Sequence, residues 1–102
     1  MDVDGIYISV YHKINNFQVK LYVCNQEEPC TDDSEYIYLK DYTFYQNNNL
    51  EINSKIELSE IKNMLNEGNY FKEDKAQIYT ESTLTTINQG SYTSKHYNTI
   101  TK

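Results

Sequence analysis

The residues of this chain that could do chemistry are two histidines, two cysteines and fifteen acidic side chains. His12 falls on the apolar parity of the alternating run Ile6, Ile8, Val10, His12, Ile14, which reads as a residue near the end of a β-hairpin. His96 lies far along the chain, in a polar tail. A nucleophilic Cys24–His12 dyad needs both side chains on one side of a sheet, and the alternation places them on opposite faces. Cys24 and Cys30 flank Pro29 at a spacing too wide for a zinc knuckle, with no second Cys or His pair to complete four ligands. They are expected to be free thiols in a cytosol; in an oxidising compartment a bond between them would contribute roughly 2–3 kcal/mol. Asp32 and Asp33 lack the glycine and distal glutamate of a calcium loop. Gly5, Gly68 and Gly90 are isolated, so no phosphate-cradling loop is present. These residues predict no catalytic site, no metal and no cofactor, and the chain reads as a non-enzyme.

Charge and aromatic content point to binding. Residues 25–41 carry −5 of the net −6, concentrated in 26-QEEPCTDDSE-35 with its five acids and no lysine. Arginine is absent, which removes the guanidinium fork that most often reads phosphate and guanine. Direct nucleic-acid binding is disfavoured on both counts. Tyrosine is abundant, with 11 residues. On the second side of the N-terminal strands, Tyr7, Tyr11 and Tyr22 alternate with Lys13 and Lys20, a patch able to stack on bases, contact a protein or pack within the fold. A chain rich in Asn, Ile, Lys, Tyr and Thr fits an AT-rich genome, bacterial, phage or viral.

The elements that must hold these residues follow from periodicity. A length of 102 residues suits one domain over 1–102. The N-terminal segment predicts a hairpin, strands 6–14 and 17–24 about an Asn15-Asn16 turn, with Ile14 facing Phe17, Val10 facing Leu21 and Ile8 facing Val23. A third strand is predicted over 35–46, with a bulge near Asp41 that returns Phe44 to the core. Asn47–Asn49 reads as a turn, and 50-LEI-52 opens a fourth strand. The Ile56/Leu58 alternation favours a strand over 54–58, followed by a short helix around 59–67 capped by Ser59 and stopped by a left-handed Gly68. Residues 76–87 predict a strand and Asn88-Gln89-Gly90 a turn. The tail after it can pair back as an edge strand, buries little and leaves 93–102 free to be mobile. The fold class is α+β: a mainly antiparallel sheet of about four to six strands with one helix over part of a face.

The functional expectation is a small acidic binding protein that inhibits by occlusion, docking on a basic, nucleic-acid-handling protein. Glu27, Glu28, Asp32, Asp33 and Glu35 are expected to steer and pair with its lysines and arginines, while Tyr36, Tyr38 and Tyr42 supply contact area. Phage counter-defence and immunity proteins share this size and charge, an analogy and no more. A structural or self-associating viral or mobile-element protein, a homodimer included, is the runner-up, and a small-ligand-binding module the third reading. The acidic N-terminus and the absence of any long apolar run predict a cytoplasmic protein with no membrane association.

Overall fold

A computed structural model describes residues 5–10, 14–45, 52–86 and 90–102. Among these residues six strands and one α-helix follow in the order β1 (Gly5–Val10), β2 (Ile14–Cys24), β3 (Tyr36–Phe44), β4 (Ile52–Glu57), α1 (Leu58–Glu67), β5 (Lys75–Thr86) and β6 (Ser91–Thr101). All pairings are antiparallel: a four-stranded sheet in the order β3-β2-β5-β6 and a separate β1-β4 pair. The fold is α+β, as the sequence predicts.

One core joins the layers. Val19, Leu21, Val23, Ala76, Ile78 and Ile100 on one face of the large sheet meet Ile8, Ile52 and Ile56 from the β1-β4 pair and Ile61 and Leu65 from α1. Strand alternation delivers this set, since every second residue of β2 and β5 points inward. Ile61 and Leu65 lie one helical turn apart and so share the stripe of α1 that faces the sheet.

The N-terminal strands form where the alternation puts them, but with other neighbours. β1 runs against β4, with Ile6 opposite Ile56 and Val10 opposite Ile52. β2 is central, paired with β3 on one side and β5 on the other. A strand has only two edges, so β2 has none left for β1, and the expected pairings of Ile14 with Phe17, Val10 with Leu21 and Ile8 with Val23 are replaced. Asn15-Asn16 is accordingly no turn. Both lie inside β2, where the register against β5 slips between Ile14 and Asn16. Asparagine suits such an irregularity for the same backbone tolerance that suits it to turns.

The bulge expected in the third strand is present, slightly earlier than predicted. Leu21 faces Lys40 and Tyr22 faces Tyr38, which leaves Leu39 as the extra residue, and Phe44 packs against the core. α1 starts at Leu58, directly from the end of β4, so Ser59 is inside the helix and Glu57 takes the cap position without a side-chain bond. Gly68 ends the helix with φ −88°, and the left-handed residue is the next one, Asn69 (φ 57°). Glycine is required at 68 for another reason: a Cβ there would collide with the Tyr70 ring. The predicted strand over 76–87 is β5. The tail is edge strand β6, and it buries little, as expected, apart from Ile100, which is 2% exposed. Tyr11, His12 and Lys13, the Asn47–Asn49 turn, and Asn88 and Gln89 lie outside the described residues.

Cys24 and Cys30 are joined in a disulfide, with Cα atoms 6.0 Å apart. The expectation of free thiols is therefore corrected. The bond ties the end of β2 to the acidic loop, and closing so short a loop contributes about 2 kcal/mol on the chain-entropy account. No helix among the described residues is long and apolar enough to cross a membrane.

Candidate functional site

The core-facing residues of the large sheet leave its opposite face to the side chains of alternate parity. On that face two rows cross the strands side by side. In the first, Tyr38 of β3 faces Tyr22 of β2, Tyr22 faces Tyr79 of β5, and Tyr79 faces Tyr97 of β6. In the second, two residues along each of β2, β5 and β6, Asp41 faces Lys20, Lys20 faces Glu81, and Glu81 faces Lys95. An unbroken tyrosine row thus lies next to a row of alternating charge.

The rings of the first row touch. Tyr22 stacks on Tyr79 at 4.5 Å between centroids, Tyr38 meets Tyr22 edge-on at 5.9 Å, and Tyr97 lies 5.4 Å from Tyr79. Tyr36 adds a fifth ring, edge-on to Tyr79 at 4.9 Å. Offset and edge-to-face pairs of this kind each add about 0.5–1.5 kcal/mol beyond area burial. Tyr79 is the keystone, only 5% exposed, while Tyr38 and Tyr97 are 53% and 55% exposed at the ends of the row.

The acidic loop borders this row. Asp32 accepts a bond from Ser34 N and caps the short 3-10 turn Asp33–Glu35. Glu35 accepts from Gln26 and from Thr31 N, and Cys30 N donates to the Gln77 side chain on β5. Asp33 reaches the edge strand: Lys95 Nζ donates to its Oδ2 at 2.6 Å and Tyr97 OH to its Oδ1 at 2.7 Å. Lys95 also sits 5.5 Å from the Tyr79 ring centroid. Of the five loop acids, Asp32, Asp33 and Glu35 therefore build the loop and fasten it to the sheet. Glu28 is exposed, and Glu27, though 3.4 Å from Lys72, keeps 85% of its side chain in solvent.

These contacts set the ionisation of the face. Bonds from Lys95 and then Tyr97 hold the Asp33 carboxyl below its ordinary range, and its bond to Asp33 raises the Lys95 ammonium. The Asp33 bond pushes Tyr97 up, and burial does the same to Tyr36, Tyr38 and Tyr79. Tyr36, Tyr38, Tyr79 and Tyr97 therefore stay neutral phenols near neutrality. For Asp33 the folded value lies below the unfolded one, so its stabilisation is present above the unfolded carboxylate pKa and is lost as pH falls through the folded value. For Lys95 and Tyr97 the folded values are raised, so their share is complete below their unfolded values and lost as pH rises through the folded ones. Denaturant titrations across pH should thus show an acid limb that is shallower in Asp33→Asn than in the wild type. An identical acid limb in both would remove this role from Asp33.

Of the residues the sequence singles out, Asp33, Tyr36, Tyr38 and Tyr22 meet on this face. Tyr42 does not. It projects to the core side of β3, where it lies 3.4 Å from Glu60, and burial followed by the Glu60 charge raises its pKa to about 12. Tyr7 is on β1 with Lys55 5.4 Å from its ring, outside the large sheet, so Tyr7 and Tyr22 do not share a patch. The sequence does not single out Tyr79, Tyr97 or Lys95 as site residues. Tyr79 alternates with Ile78 and its outward parity is readable, but nothing in the sequence says that it stands beside Tyr22.

The rows offer ring faces, phenol hydroxyls and carboxylates on one surface, suited to holding cationic side chains against aromatic rings. No protein-family model, curated protein or solved structure matches this chain.

Proposed function

We propose that the chain is a non-enzymatic binding protein that docks through its tyrosine face on a basic protein and acts by occluding it. The observation that carries this reading is the five-tyrosine cluster on the sheet face opposite the core, bordered by Asp33, Asp41 and Glu81. Exposed tyrosines are typical interface anchors, and partner lysines or arginines gain both from the rings and from the neighbouring carboxylates. Glu27 and Glu28, the loop acids with the freest side chains, add steering. The partner is of the kind whose own ligand is nucleic acid, which the docked chain would displace. The same carboxylates disfavour direct stacking on nucleic acid. In place of the cytosol expected from the sequence, the Cys24–Cys30 disulfide supports action in an oxidising compartment.

Affinity capture from the native host followed by calorimetry on the captured protein tests the reading. Tyr38→Ala with Tyr97→Ala is expected to weaken binding at least 30-fold, about 2 kcal/mol, as for interface hot spots. Glu27→Lys with Glu28→Lys should slow association and flatten its salt dependence. A captured partner whose affinity ignores the tyrosine pair would overturn the assignment of this face.

A further inference from the structure

The four-stranded sheet has two edges, β3 and β6, and they are protected differently. β3 carries the bulge and the charged pair Lys40-Asp41, devices that discourage a further strand from joining. β6 runs unbroken from Ser91 to Thr101 in continuous register with β5. It contains no proline and no acid, and its one lysine, Lys95, is held by Asp33. Among the described residues no strand pairs with its outer edge.

We propose that β6 is a self-association edge, on which two copies of this chain pair antiparallel about a two-fold axis at His96. The two four-stranded sheets then become one continuous sheet. Only registers shifted by an even number of residues keep core and tyrosine faces aligned across the junction. With the axis at His96, all of Ser91–Thr101 is paired, Ser91 of one copy opposite Thr101 of the other. Lys95 then faces Tyr97 twice across the junction, a cation–aromatic contact on each side of the axis. An axis at Lys95 would set Lys95 against Lys95, a like-charge clash. An axis at Tyr97 shortens the overlap and takes Lys95 away from the facing ring. In the favoured register the tyrosine row of one copy runs into the charge row of the other, so that each line of side chains across the joined sheet is half aromatic and half charged. The outward amide and carbonyl groups of β6 gain partners at the same time.

Sedimentation of the purified chain over a concentration series, with no other protein present, reads this separately from the heterologous partner proposed above. A dimer mass at high concentration is expected. His96→Cys should cross-link rapidly on mild oxidation, because facing residues in an antiparallel pair have Cα atoms about 4.5–5.5 Å apart, within disulfide reach. Ser94→Cys and Asn98→Cys should not, since each then lies about 13 Å from its own copy across the axis. Peptide mapping confirms that Cys24–Cys30 stays intact. His96→Lys, at an exposed position, should weaken self-association at least tenfold while circular dichroism reports an unchanged fold. A monomer at every concentration, or cross-linking at 94 or 98 as fast as at 96, would overturn the proposal.

Discussion

Tyr79→Ala is expected to destabilise the protein by about 3–4 kcal/mol, the range for deleting a large aromatic ring from a packed site. On paper Tyr79 belongs to an outer sheet face, where such a change would usually cost far less. Its surroundings decide otherwise. The ring is 5% exposed, stacked on Tyr22 and flanked by Tyr36 and Tyr97, with Lys95 close by. Removing it takes a ring contact from each of three other rings and leaves a hole in the middle of the row. For a chain of this size the loss corresponds to a fall in Tm of roughly 15–20 °C. Tyr79→Phe keeps every ring contact and should stay within about 1 kcal/mol of the wild type. Equilibrium urea unfolding of the two variants separates the ring from its hydroxyl. A mild effect of the alanine would mean that the tyrosine row is a loose surface and no rigid platform.

The second large effect belongs to the other face. Leu65→Ala should cost about 3 kcal/mol, because Leu65 is fully buried where α1 lies on the sheet and its neighbours can only partly close the gap. Asn66, one residue on, is exposed, and Asn66→Ala should change stability by no more than about 0.5 kcal/mol. The contrast is measurable by thermal or urea unfolding, and similar losses in both variants would contradict the docking of α1 through its Ile61/Leu65 stripe. Together the two variants ask whether the sheet is held from both sides: by an aliphatic layer beneath and by an aromatic layer above.

Much of this arrangement is legible in the residues. The alternation of β2 assigns Val19, Leu21 and Val23 to the core and Tyr22 to the other face. The slip of pattern near Asp41 marks the bulge to within two residues, and Gly68 marks the end of α1. Less legible is which strand stands beside which. Ile6, Ile8 and Val10 satisfy the same pairing rule against Ile56, Ser54 and Ile52 as against the inward residues of β2, and a nearby Asn-Asn favours the local choice. The site suffered from the same ambiguity. Tyr36 and Tyr38 could be named beside the acidic loop, but Tyr97 sits in a segment with little apolar signal, and its place next to Tyr79 depends on the β5-β6 register.

The sequence by itself determined the α+β class, the parity of the N-terminal strands, the concentration of negative charge in 26–35 and the poverty of catalytic groupings. These are properties of composition and of periods two and 3.6, written locally along the chain. Only the tertiary structure decided that β1 leaves β2 for β4, that Cys24 bonds Cys30, that Asp33 fastens the acidic loop to Lys95 and Tyr97, and that tyrosines from four strands form one row. The physical reason is that alternation fixes the face on which a side chain stands, while its neighbours are set by strand order. Strand order in turn depends on which packing of all six strands and the helix buries the most apolar surface with every backbone group paired.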